Sequence, residues 1–60
     1  MTTVQIFGRS RNKFEQAFPD AKFEGYECNA RYCYFRFIKK MSDNTIKKIC
    51  EVNKIKYSIV

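Results

Sequence analysis

The residues best suited to chemistry stand in one run, Tyr32-Cys33-Tyr34-Phe35-Arg36-Phe37. In an extended chain, successive side chains point to opposite faces. Cys33, Phe35 and Phe37 then share one face, and Tyr32, Tyr34 and Arg36 share the other. The second set is a flat aromatic surface with polar tips and a cation beside it. Bases stack on such rings, each stack contributing ~1–3 kcal/mol, while cations neutralise phosphates and release counterions. The reverse orientation would bury Arg36 without a partner at a high desolvation cost. Plainer uses exist for the same residues. Aromatic strand residues commonly fill a core, and Tyr and Arg are enriched where proteins dock on proteins.

Further cations are placed to flank that surface. The chain of 60 residues has 12 Lys+Arg against 6 Asp+Glu, a net charge of +6. Arg9 and Arg11 belong to Arg9-Ser10-Arg11-Asn12-Lys13, at a predicted strand-to-helix turn where backbone N–H groups attract anions. That segment reads equally as a basic loop without a ligand. Arg31 precedes the aromatic run, Lys39-Lys40 follows it, and Lys56 lies in the last alternating segment. Lys47-Lys48 reads as a solvated helix face.

The same inventory excludes much catalysis. There is no His, which removes His-containing zinc sites, Cys-His nucleophile pairs and Ser-His-Asp triads. The three cysteines, Cys28, Cys33 and Cys50, are an odd number for a secreted disulfide framework. As metal ligands they would need an outside donor to close the site. Cys28 and Cys33 are candidates for a cross-strand disulfide if the turn between them has the right length. In a reducing compartment they remain thiols. No cofactor and no metal is expected, and the chain reads as non-enzymatic.

The elements that must position these residues follow from patterning. Residues 3–9 read as a strand, with Gln5 and Phe7 on the face opposite Val4 and Ile6. Residues 11–18 read as a short helix with Phe14, Ala17 and Phe18 at i, i+3 and i+4, stopped by Pro19. Residues 22–28 and 32–39 read as a hairpin turning near Asn29-Ala30-Arg31. Ser42 or Asp43 caps a second helix reaching about residue 53, with Ile46, Ile49 and Cys50 on one stripe. Residues 55–59 alternate and close the chain as a strand. The order β-α-β-β-α-β predicts a single α+β domain over residues 1–60, of the ferredoxin-like kind. Its form is a four-stranded antiparallel sheet with two short helices on one face and the first and third strands in the centre. The competing arrangement is a hairpin-centred α+β domain whose first helix is only a turn. On the expected free face, Phe7, Tyr32, Tyr34 and Arg36 fall near the middle. Arg9, Arg11, Arg31, Lys39 and Lys40 fall at its ends, and Lys56 comes from the last strand.

Two resemblances touch these residues. Ala30-Arg31-Tyr32-Cys33-Tyr34-Phe35-Arg36-Phe37 resembles the third-strand motif of RNA-recognition-motif domains. The resemblance implies base-stacking roles for Tyr32 and Tyr34 and buried roles for Cys33, Phe35 and Phe37. The motif's small Gly is replaced by Arg31 and its leading basic residue by Ala30, and the first-strand stacking position is Gln5. Gly25-Tyr26-Glu27-Cys28-Asn29 is similar to the segment that carries the second-strand Asn of acylphosphatases. That similarity implies Asn29 and either Arg9 or Arg11 as phosphate-handling residues. Val4-Gln5-Ile6-Phe7-Gly8 lacks the glycine-rich phosphate loop such enzymes place before the Arg.

Taken together, the sequence predicts a small basic binding protein acting on RNA or single-stranded DNA. The alternative is a small phage-type regulator or inhibitor docking on a host protein or nucleoprotein through the same face. A remote alternative is an acylphosphatase-like phosphohydrolase. Phe, Tyr, Met, Ile, Asn and Lys make up half of the chain. Their codons are AT-rich, which fits a phage or mobile-element source for a short chain beginning at Met1. No apolar run approaches the ~20 residues of a membrane span, and no signal-peptide pattern precedes the first strand. A cytoplasmic location, in the host cell if phage-encoded, and no membrane partner are therefore expected. A homodimer would add stability to so small a core.

Overall fold

A computed structural model describes residues 2–60. It holds four strands and two α-helices: β1 (Thr2–Phe7), α1 (Arg11–Ala17), β2 (Ala21–Tyr26), β3 (Tyr32–Phe37), α2 (Asp43–Val52) and β4 (Tyr57–Ile59). A 3-10 turn over Gly8–Ser10 leads from β1 into α1. The strands form one antiparallel sheet in the order β2-β3-β1-β4. The architecture is α+β. The first helix spans seven residues, so the arrangement in which it is a mere turn does not hold.

The alternation of β3 sorts the molecule into a packed side and an open side. Cys33, Phe35 and Phe37 are buried, and Tyr32, Tyr34 and Arg36 are half-buried. On β1, Val4 and Ile6 are buried next to Gln5 and Phe7, which are not. The buried residues of both strands share one core with Phe14 and Phe18 and with Ile46 and Cys50, so both helices cover the same face. Phenylalanines dominate it. The Phe14 ring centroid lies 4.6 Å from those of both Phe18 and Phe35, and Phe23 lies 5.5 Å from Phe35. Of the six Phe, Phe7 alone is turned to the opposite face of the sheet.

Several element ends differ from the patterning, each for a local reason. β1 stops at Phe7 because the 3-10 turn begins at Gly8. β2 carries a bulge between Phe23 and Gly25. Gly25 sits at φ 127°, a backbone region that side chains with a Cβ avoid. The bulge re-aims the strand. Phe23 pairs with Phe35, yet Tyr26 three residues on pairs with Cys33, so both face the helices. Cys28 therefore does not oppose Cys33, and all three cysteines are free thiols. The final strand begins at Tyr57, with Ile55 buried in the connection before it.

The second helix has an ordered cap at each end. Ser42 Oγ accepts a hydrogen bond from the Thr45 amide at 3.2 Å, which satisfies one of the free donors of the first turn. At the other end Ile55 N–H donates to Cys50 O at 2.8 Å and Lys54 N–H donates to Glu51 O at 3.1 Å. This is the paired Schellman closure. It places Lys54 at φ 56°, where glycine is free of strain. Among the described residues, no helix is long and apolar enough to cross a membrane.

Two stability predictions follow from these environments. Lys54→Gly should raise stability by ~0.5–1 kcal/mol, read as a higher thermal midpoint. The second concerns Cys50, whose burial pushes its thiol from 9.0 up to about 11. Burial raises the Cys33 thiol as well. The unfolded chain ionises at the lower value, so the Cys50 contribution is complete below about pH 9. It is lost as pH rises to about 11, at ~1.4 kcal/mol per pH unit. Urea midpoints at pH 8 and pH 10.5 should show the fall, and Cys50→Ala should reduce it, with Cys33 sustaining the remainder.

Candidate nucleic-acid interface

The open face is built around the pairing of the two central strands. Phe7 stands opposite Tyr32, Gln5 opposite Tyr34 and Thr3 opposite Arg36. Alternation sends all six to the side away from the helices. At one end the Phe7 and Tyr32 rings stack, with centroids 5.1 Å apart and planes inclined by 25°. The guanidinium carbon of Arg9 lies 5.3 Å from the Phe7 centroid, within cation–π range.

The chain holds this end together through backbone contacts. Gly8 N–H donates to Arg31 O at 2.8 Å, tying the exit of β1 to the hairpin loop. The approach is close. A Cβ at Gly8 would lie 2.9 Å from Ala30 O, so glycine is required there. Glu27 N–H donates to Tyr32 O and Ala30 N–H to Glu27 O, both at 2.8 Å, and Asn29 Oδ1 accepts from Arg31 N–H at 3.0 Å. Arg9 and Arg31 thereby meet beside the stacked rings.

Two open depressions border the Phe7–Tyr32 pair. One, of about 410 Å³, is lined by Phe7, Arg9, Ala30, Arg31 and Tyr32. The other, of about 210 Å³, lies toward β4 and adds Gln5, Lys56, Tyr57 and Ser58. Neither is lined by an acidic residue. Lys56 precedes β4 rather than lying in it, yet it belongs to this hollow. Phe7, Tyr32, Arg9, Arg31 and Lys56 are thus brought together.

The middle of the face is polar and internally paired. Tyr34 Oη donates to Glu27 Oε2 at 3.2 Å and accepts from Gln5 Nε2 at 3.2 Å. Gln5 Nε2 also lies 3.5 Å from Glu27 Oε2. Arg36 faces Glu24, whose Oε1 is 3.1 Å from Nε. That Nε is sealed from solvent and the carboxylate is off its N–H axis. The pair is held by charge rather than by an aligned hydrogen bond. The charge of Arg36 is thus answered within the protein, and the Tyr34 hydroxyl is already engaged.

Other expected contributors lie elsewhere. Arg11 is on the helix side, where its guanidinium carbon stands 3.7 Å from the Phe23 centroid. It donates to Tyr26 Oη and to Glu15 Oε1, each at 3.2 Å. The Tyr26 hydrogen bond is the main cause of its raised pKa. Lys39 and Lys40 are exposed beyond the end of β3, beside Met41 and Ser42. With ~3.3 Å per strand residue, they are on the order of 20 Å from Tyr32. The Arg9–Lys13 turn sends the Arg11 side chain to the helix side and leaves Arg9 beside Phe7. Arg11 N–H donates to Gly8 O, and Ser10 makes no side-chain cap. Asn29 lies in the hairpin loop rather than on β2, with its Oδ1 used locally.

Sequence patterning missed Glu24 and Glu27 as members of this face, and missed the tie between Gln5 and Glu27. The bulge is the reason, since it breaks the alternation by which β2 would be assigned. Gly25 within a strand pattern was the signal available. Among the described residues, no three Cys, Asp or Glu side chains converge as a metal site. No family model matches the chain, and no curated protein or solved structure matches it at a significant level.

The closeness at Gly8 generates a prediction. Gly8→Ala forces the hairpin loop away from β1 and should cost ~1–3 kcal/mol, read by urea denaturation. Tyr34→Phe loses only a hydroxyl shared by Gln5 and Glu27 and should cost ~0.5–1.5 kcal/mol.

Proposed function

We propose that the protein binds single-stranded RNA or DNA, without catalysis, at the Phe7–Tyr32 end of its open sheet face. The observation that carries this reading is the stacked pair itself. Phe7 adds nothing to the phenylalanine core and is instead held on the surface against Tyr32. Arg9, Arg31 and Lys56 surround the pair, and no carboxylate lines either hollow. Rings offer stacking to unpaired bases, and flexible cations take the phosphates. Glu27, which has no cation paired to it among the described residues, repels phosphate from the β2 side, so the strand passes over the β1–β4 side.

The fold reading supports this placement. Elements in the order βαββαβ, with β1 and β3 central in an antiparallel sheet, fit the ferredoxin-like arrangement, and we read the chain as such a domain. Its helices occupy one face and leave the other for a ligand.

A second reading has its own observation. Glu24 and Glu27 give the open face mixed charge, which suits a protein partner. The chain would then be a small regulator docking on a host protein or nucleoprotein.

Fluorescence anisotropy with labelled single-stranded RNA and DNA at two salt concentrations separates the readings. Tyr32→Ala should weaken binding by ~1–3 kcal/mol, about 5- to 150-fold. Lys56→Gln should lower the salt slope by about 0.7. Arg36→Gln, whose charge is already paired, should change little. Weak binding that vanishes near physiological salt and ignores Tyr32→Ala would favour the protein partner.

A further inference from the structure

We infer that the hollow beside Phe7 and Tyr32 selects bases bearing an exocyclic amino group, and that Glu27 sets this preference by locking the Gln5 amide. The inference rests on the nucleic-acid reading above and names the substrate class of the same site.

Gln5 stands between Tyr34 of β3 and Ser58 of β4 on the open face. Its Nε2 is turned to the β3 side, 3.2 Å from Tyr34 Oη and 3.5 Å from Glu27 Oε2. A carboxylate only accepts hydrogen bonds. Glu27 therefore admits the N–H edge of the amide and rejects its carbonyl edge. Tyr34 reinforces the choice. Its single hydroxyl proton is given to Glu27 Oε2 at 3.2 Å, so toward Gln5 it also can only accept. Two acceptors thus fix the amide in one orientation. Gln5 lines the hollow with Phe7, Tyr32, Lys56 and Ser58, and the same orientation turns its carbonyl oxygen Oε1 away from the Glu27 and Tyr34 acceptors. Among the described residues, no protein donor is bonded to it.

A base stacked at this pair meets a fixed acceptor at its edge. Cytosine presents an amino group at position 4, and adenine presents one at position 6. Uracil presents a carbonyl oxygen at position 4, which opposes Oε1. Cytosine and uracil have the same ring size, so comparing them isolates the edge from the stacking. Glu27 is here a positioning residue, which acts through Gln5 without touching the base.

The test is a set of anisotropy titrations with labelled oligocytidylate and oligouridylate at one salt concentration, on variants whose folding is checked by circular dichroism. The protein should bind oligocytidylate about three- to tenfold tighter, the worth of one hydrogen bond. Glu27→Gln introduces an amide that can donate to Oε1, so the Gln5 amide can turn over. The preference should then collapse while overall affinity is kept or raised by the lost negative charge. Gln5→Ala should abolish the preference by a second route. Tyr32→Ala should weaken both oligonucleotides alike. Equal binding of the two by the unaltered protein would overturn the inference and leave the stacking site standing. A preference that persists in Glu27→Gln would overturn the role of Glu27. Binding of neither oligonucleotide would overturn both the inference and the function it rests on.

Discussion

The alternation of β3 at the centre of the sheet is the constraint on which the rest of the molecule depends. Phe35 is fully buried against Phe14, and that contact admits no slip. A shift of one residue would exchange the faces of the strand, taking Arg36 and its charge into a core without polar groups. Cutting Phe35 to Ala would cost ~3–5 kcal/mol. That is a large share of the ~3–9 kcal/mol expected for a domain of this size. Because Phe35 and Phe37 must face inward, Tyr32 and Tyr34 must face outward. The exposed aromatic surface is a consequence of core packing before it is anything else.

What turns that surface into a site is the distribution of its charges. The bulge at Glu24 and Gly25 keeps Tyr26 on the helix side, while Glu24 answers Arg36 and Glu27 answers Tyr34 and Gln5. Half of the open face is thereby satisfied within the protein. Arg9, Arg31 and Lys56 gather at the other half, around Phe7 and Tyr32, while Lys22 stands opposite Arg36 on the β2 side. A small sheet thus carries one stacking end and one structural end, divided by two carboxylates.

Where one physical rule dominates, the sequence was legible. Period-two alternation identified both faces of β3 and the outward placement of Gln5 and Phe7, and Ser42 marked the start of α2. The features that escaped depend on competing or non-local terms. Arg11 was drawn to the helix side by Tyr26, Phe23 and Glu15, and that tyrosine reaches it only because of the bulge. Arg9 and Arg31 converge because Gly8 admits the hairpin loop, a close approach that no periodicity reveals. The pairing of Arg36 with Glu24 joins two strands whose register is not readable from either alone. Lys39 and Lys40 follow β3 directly in the chain, but that end of the strand is the one remote from the stacked rings.

The central claim is that ligand is met at the Phe7–Tyr32 end of the open face. Backbone amide chemical shifts, followed in a titration with a short single-stranded oligonucleotide, test it most directly. The account predicts perturbations concentrated at Gln5, Phe7, Gly8, Arg9, Arg31, Tyr32, Lys56 and Ser58, with α2 unaffected. Perturbations centred on the exposed lysines of α2, or scattered over the surface in proportion to positive charge, would contradict it.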